Sequence, residues 1–472
     1  MKNLILDQFT YTKRVMNWTA QRKTQGFWRL VQFFIVILIC LIQTSIFYKN
    51  SFNLVEKDFF SNFQKDSEAL VVGKIVFDKN HPNVKEKANL GFSTSDRFSS
   101  DLKHILEGYD LLNVDKNQKL NFFPYTSQVG LQGLVYSFLY NNLKIRQIES
   151  LNYLCALLTS ISLVFLTLGF CKTIGSGFAL AFLVSVSFSP WMISFARNLY
   201  WSPFLWFSPA VFSMLAYFYI NHFQKNVFLF LFFISIFIKC LCGYEYISTI
   251  IWFSCAIFLI DPFLISPRLN RTSSLRYASI TFGLAVSGFL AAILVHSTFR
   301  GNTVFEGLTA IWNQDVKRRT YGSPSSFDPV SAASLNASLI SVLKTYIKSW
   351  STDLIYRIHG KRFILLNSTA LATIGYKFFT QHRSRWRDFS FFVVYVFGPL
   401  SWFCLAKGHS YVHVHMNYIM WYFGFVAVLI YISTNGAFLL SIKGLRFLHG
   451  IYAFFIFSNS SISERGKSRK YS

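Results

Sequence analysis

Two carboxylates separated by one residue, Asp66 and Glu68, stand in the segment Asp66-Ser67-Glu68-Ala69-Leu70-Val71-Val72-Gly73-Lys74-Ile75-Val76. A carboxylate within hydrogen-bond reach of a hydroxyl can take its proton. The same pair also fits the start of a helix over 66–79, with Asp66 as N-cap and Glu68 in the first turn, where the helix dipole favours negative charge. Glu56 and Asp58 form a rival pair nearer the preceding apolar run. Downstream, Asp315-Val316-Lys317-Arg318-Arg319-Thr320-Tyr321-Gly322 sets three consecutive cations beside an acid. Fixed cations neutralise a phosphate group, and they also suit contact with lipid headgroups. Arg300 and Arg197 are further cations, the latter in Arg197-Asn198-Leu199-Tyr200-Trp201, where Tyr200 and Trp201 read equally as interfacial anchors. Lys239 and Glu245 bracket Cys240-Leu241-Cys242-Gly243-Tyr244, as an internal ion pair or as substrate contacts. His409, His413 and His415 follow. The first two share a helical face, whereas His413 and His415 share one only in an extended chain. No HExxH accompanies them, so phosphate or a sugar hydroxyl suits these imidazoles better than a metal. No metal ligand set and no cofactor is expected, and a need for a divalent ion is left open. Gln128 and Gln132 either touch a sugar or pack a helix.

The elements that must position these groups are apolar. Of 472 residues 53% are apolar and 14% charged, with 54 Phe, 24 Tyr and 11 Trp, against about 25% charged residues in soluble globular chains. That leaves too little polar surface for a water-soluble body. The seven cysteines lie in or beside apolar runs without the spacing of a disulfide or metal framework. The net charge of +25 needs no nucleic-acid partner, because membrane proteins keep cations beside cytoplasmic helix ends. Runs of about 20 apolar residues predict spans at 27–48, 150–171, 175–195, 199–221, 226–242, 244–264, 277–297, 363–380, 389–406 and 412–433. The stretch 435–457, with Lys443 and Arg446 near its centre, reads as an eleventh span or an interfacial amphipathic helix. The expected fold is an all-α polytopic membrane protein of ten or eleven spans with a large first loop of short helices.

The corresponding parts are 1–26, an N-terminal segment; 27–48, the first span; 49–149, a loop domain; 150–298, six spans; 299–362, a second loop; 363–433, three spans; and 434–472, an amphipathic or eleventh helix with a basic tail. Residues 1–29 carry Lys2, Lys13, Arg14, Arg22, Lys23 and Arg29 against Asp7 alone, which predicts a cytoplasmic N-terminus. Twelve of the 21 acids fall in 49–149, so carboxylate chemistry is expected outside the cytoplasm.

Acids behind the first span, in the first outer loop, followed by a bundle of spans, resemble the GT-C superfamily of membrane glycosyltransferases. The resemblance implies that Asp66 or Glu68 is the general base on an acceptor hydroxyl. It also implies a polyprenyl-phosphate-linked sugar as donor, with a glycan or lipid-linked acceptor. Lys317, Arg318, Arg319, Arg197, Glu245, His409 and His413 then serve the phosphate and the sugar, and membrane lipids surround the protein. A flippase or transporter of lipid-linked saccharide, or a polysaccharide polymerase, ligase or O-acyltransferase, would use the same cations and histidines; a polymerase gives Asp66 and Glu68 no role. The Lys-, Asn-, Phe- and Ile-rich composition points to a bacterial inner membrane.

Overall fold

The structure, a computed structural model, describes residues 29–82, 84, 88–95, 104–113, 120–143, 145–439 and 441. In chain order, α1 (Arg29–Lys49) leads into a region of α2 (Lys57–Asn62), α3 (Lys65–Asn80), β1 (Gly91–Thr94), α4 (Glu107–Leu111), β2 (Asn121–Pro124) and α5 (Leu131–Asn141). A helical body follows: α6 (Ile148–Thr173), α7 (Ser176–Ser187), α8 (Pro190–Phe195), α9 (Phe204–Phe218), α10 (Gln224–Cys242), α11 (Ile247–Ile260) and α12 (Arg271–Arg300). The segment after it holds α13 (Val304–Ala310), a π-turn at Ile311–Val316, α14 (Lys317–Arg319), α15 (Pro329–Asn336), α16 (Leu339–Lys348) and the pair β3 (Asp353–Ile355) and β4 (Ile358–His359). The chain then forms α17 (Arg362–Phe379), α18 (Arg385–Leu405), α19 (Lys407–Val412), α20 (Val414–Asn417) and α21 (Phe425–Leu439).

The membrane helices number fewer than the ten or eleven expected. Among the described residues five are long and apolar enough to cross: α1, α6, α10, α12 and α18. Counting two bent pairs as single spans raises this to seven: α15 with α16, bent by 101°, and Val414–Tyr422 with α21, bent by 54°. The excess comes from apolar runs that stop short. The run 175–195 breaks at Ser189-Pro190, where Ser189 caps a new helix by accepting from the Met192 N–H. The run 199–221 begins its helix only at Phe204, and 244–264 only at Ile247. At 1.5 Å per residue, helices of 12 to 15 residues reach about 18–22 Å, short of the roughly 30 Å hydrocarbon layer. Helix α17 is long enough, but Asn367, Ser368, Thr369, Thr373 and Lys377 dilute its apolar face, and it falls outside the apolar set. Most of 435–457 lies outside the described residues.

The short helices are apolar because protein covers them. Phe170 of α6 packs edge-on against Phe178 and Phe182 of α7 and Phe253 of α11, Phe182 stacks on Phe253, and Phe207 of α9 stacks on Phe423. In the 49–149 region, α3 is buried from Ala69 to Phe77 and leans directly on the antiparallel β1–β2 pair. A Cβ on Gly73 would stand 2.3 Å from the Gly91 carbonyl oxygen, so the helix reaches the strand only where the side chain is absent. Ser93 Oγ seals the contact by donating to the Gly73 carbonyl at 2.7 Å. This fixes the first turn of α3, which carries Asp66 and Glu68. The other helices of this region are short, 107–111 and 131–141, as the sequence leads one to expect of the first loop.

Candidate functional site

One cavity of about 450 Å³ gathers side chains from parts of the chain far apart in sequence. Asp66 and Ser67 enter from the first turn of α3, Tyr125 from the segment after β2, and Tyr200 and Trp201 from the α8–α9 link. Glu245 comes from the α10–α11 link, Arg319 from the end of α14, and His409, His413 and His415 from α19 and α20. A second, apolar cavity of about 240 Å³ adjoins it and shares Glu245, Arg319 and His409, with Phe289 and Ile293 of α12 and Trp402 and Leu405 of α18 in its wall.

The two acids of the α3 start have different surroundings. Glu68 is tied down: it accepts from Tyr109 Oη at 2.8 Å, Asn152 Nδ2 at 2.7 Å and the Leu199 N–H at 3.0 Å. Three donors stabilise the carboxylate charge and fill its lone pairs, so Glu68 joins α3, α4, α6 and the α8–α9 link and does not line the cavity. Asp66 lines it, is exposed to it, and accepts from the neighbouring Ser67 N–H at 2.8 Å. Asp66 is not the helix cap that the sequence suggests. The helix starts one residue earlier, and Gln64 precedes it in the left-handed region at φ 57°. Gln64 is held there by its side chain, which accepts from Ser67 Oγ and Trp201 Nε1 and pairs with His415 Nε2 at 3.2 Å. Glu56 and Asp58 are exposed at the start of α2, outside both cavities.

The cationic run divides in the same way. Arg319 lines both cavities. Burial works against its charge, and Tyr125, Glu245 and Asp315 outweigh that and raise its pKa. Lys317 is exposed and donates to Asn313 Oδ1 at 2.9 Å, and Arg318 lies outside both linings. Arg197 is structural: it donates to the Phe60 carbonyl at 3.1 Å and stacks 4.1 Å from the Phe60 ring. Arg300 is engaged with Asp315 at 3.1 Å and with Gln314 at 2.7 Å.

Lys239 and Glu245 are both buried. Lys239 donates to the Gly243 carbonyl, while Glu245 turns to the cavities. Gly243 sits at φ 149°, and a Cβ there would fall 2.4 Å from Glu245 Oε2 and 2.6 Å from Gln128 Oε1. Gln132 packs the helices together by donating to the Tyr200 and Cys242 carbonyls. Tyr200 and Trp201 are buried in the cavity wall rather than anchored at a membrane interface.

The three histidines reach one face by a break in the helix. Helix α19 ends at His413, whose φ of −106° and ψ of 47° leave the helical region, and α20 restarts at Val414. This kink brings His415 to the side of His409 and His413, with ring centres 4.5 Å and 5.9 Å apart along the series. Burial, then His415 and Arg319, push His413 down to about 4, against the pull of Asp66. Burial and His413 hold His409 well below the usual histidine range. Both are therefore neutral at pH 7, each with one ring donor and one acceptor. His409 Nδ1 is buried with no hydrogen-bond partner among the described residues, which leaves it for a ligand. Among those residues no group of three or more His, Cys, Asp or Glu side chains is arranged to hold a metal ion.

Sequence reasoning singled out Asp66, Glu245, Arg319, His409 and His413, which the fold brings together, and Glu68, Lys317, Arg318 and Arg197, which it does not. It missed Gln64 and Tyr125 as cavity residues. The only signal for Gln64 was its place ahead of the helix start. Compared with known proteins, the chain matches no family model, no curated protein and no solved structure.

Proposed function

We propose that this chain is an integral membrane glycosyltransferase similar to the GT-C superfamily. In this reading it moves a sugar from a polyprenyl-phosphate donor to a hydroxyl of a glycan or lipid-linked acceptor. Its site faces the extracytoplasmic side of a bacterial inner membrane, and its N-terminus is cytoplasmic. The observation that carries the reading is the junction of the two cavities at Arg319: a polar chamber with Asp66 and the histidines, and an apolar chamber between α11, α12 and α18. A polyprenyl-phosphate sugar has the same division, with an apolar chain, an anionic joint and a polar head. Asp66 takes the proton of the acceptor hydroxyl as its oxygen attacks the anomeric carbon. The bond from that carbon to the phosphate oxygen breaks, and the phosphate departs with the electron pair. Arg319 balances the charge that grows on the leaving phosphate, and neutral His409 and His413 donate hydrogen bonds without competing for the proton that Asp66 accepts.

Orientation rests on charge. Helices α10, α12 and α18 end at the cavities, and their opposite ends carry Lys225, Arg268, Arg271, Arg383, Arg385 and Arg387, with Lys172 in the last turn of α6, as cytoplasmic ends do. Membranes containing the chain, supplied with a polyprenyl-phosphate monosaccharide radiolabelled in the sugar, should release free polyprenyl phosphate and pass label to an acceptor. A flippase moves the donor across the bilayer and leaves the sugar–phosphate bond intact; an unbroken donor after transport would refute the reading.

A further inference from the structure

The opposite end of the helical body holds a second polar cavity that the glycosyltransferase reading does not use. It encloses about 370 Å³ where the end of α17, the following turn, the start of α18 and the end of α21 meet. Arg387, the α18 residue that lines it, is separated from Trp402 and Leu405, in the wall of the apolar chamber, by most of the helix, about 22–27 Å at 1.5 Å per residue. It is therefore a separate site.

Its wall is cationic on one side and apolar on the other. Lys377, His382, Arg383 and Arg387 line the first, and Ile265 and Phe438 the second. The charge is built into the fold. Asp388 is fully buried, pairs with Lys377 Nζ, itself 1% exposed, and accepts from Arg387 Nε at 3.1 Å. One carboxylate thus offsets one of three cations and anchors two of them, leaving a net surplus of positive charge around the cavity. Arg387 spends one of its five guanidinium donors on Asp388, and its ring-facing side packs 5.6 Å from Tyr431. Holding a buried Lys–Asp pair is costly unless the geometry is well satisfied, and a plain helix contact does not need it. Among the described residues nothing covers the apolar wall: Ile265 is 83% exposed and Phe438 66% exposed, and Phe379 at the end of α17 is also exposed.

We propose that this cavity binds a phosphate group, carried on an anionic phospholipid headgroup or free in solution. Basic pockets between membrane helices recognise such groups through charge-assisted hydrogen bonds. The exposed apolar residues beside the cations would contact the acyl chains of a lipid and have no counterpart for free phosphate, so the lipid source is the one the wall matches.

The test uses the full chain purified in phosphatidylcholine nanodiscs, with phosphatidylglycerol titrated in and bound lipid counted by native mass spectrometry after mild delipidation. Retention of phosphatidylglycerol over phosphatidylcholine, unaffected by millimolar inorganic phosphate, supports the lipid-borne source. Competition by inorganic phosphate supports the same chemistry with free phosphate as ligand. Arg383 is exposed at the pocket edge, so Arg383→Gln is expected to fold as the parent does and to weaken retention about fivefold. Equal retention of the two lipids by the parent, or equal retention of phosphatidylglycerol by parent and Arg383→Gln, would overturn the proposal.

Discussion

Replacing Glu68 by Gln separates structure from chemistry in the acid pair. The carboxylate accepts three hydrogen bonds, at 2.8, 2.7 and 3.0 Å. Bonds to a charged acceptor contribute about 1.5–3 kcal/mol each against about 0.5–1.5 for neutral ones. A Gln oxygen can still accept from Asn152 and Leu199, while its amide meets the Tyr109 hydroxyl as a donor. The loss is then about 1 kcal/mol per bond, or about 3 kcal/mol in all, reduced by the lower desolvation cost of a neutral amide. A net destabilisation of about 1–3 kcal/mol follows. Glu68→Ala should cost more, because it leaves the Asn152 amide and the Leu199 N–H without their acceptor. The measurement is thermal unfolding of the purified protein in detergent, followed by tryptophan fluorescence, beside Asp66→Asn as the control. Asp66→Asn should unfold with the parent, since its single local bond is to the adjacent N–H. A Glu68→Gln protein as stable as the parent but without transfer activity would refute this reasoning and return Glu68 to the chemistry.

Gly243→Ala should cost about 1–3 kcal/mol, because φ 149° suits glycine alone; it should also lower transfer by pushing Glu245 aside, and an active, stable variant would contradict the account of Glu245. Arg319→Gln should raise the apparent donor KM and lower kcat, whereas Lys317→Ala should leave both unchanged, as checked by steady-state kinetics with the labelled donor. His413 is held at about 4 in the folded chain, below its unfolded value of about 6.5. The unfolded chain therefore binds more protons between those values, so stability is full above pH 6.5 and falls as pH drops toward 4. Unfolding midpoints of His413→Gln should decline less over that window, by up to about 1.4 kcal/mol per pH unit.

The first long span was legible because its 21-residue helix runs apolar without a break from Phe33 to Ile42 and carries no charge between Arg29 and Lys49, and α6, α10, α12 and α18 followed from the same rule. Hydropathy overcounted elsewhere because it registers apolarity without its cause. The runs at 175–195 and 199–221 are apolar since aromatic neighbours cover them, and Pro190 and Pro203 divide them into pieces too short to span. Asp66, Arg319 and His413 were legible as residue types able to do the chemistry, while their convergence depends on contacts far apart in sequence. The choice between Arg318 and Arg319 is a rotation of about 100° on a helix, set by the π-turn before them, which no local pattern announces. His415 joins the cavity through the break at His413, and Gln64 through a left-handed backbone turn. Both are outcomes of tertiary packing on residues with no strong local preference for those conformations.

The central claim is that Asp66 is the base facing a phosphate-linked sugar held at Arg319. Its most direct test is single-turnover transfer by Asp66→Asn with saturating polyprenyl-phosphate monosaccharide, measured beside donor binding. The account predicts a loss of about 10²–10⁴ in the transfer rate, with donor affinity and unfolding unchanged. Transfer at the parental rate would contradict it.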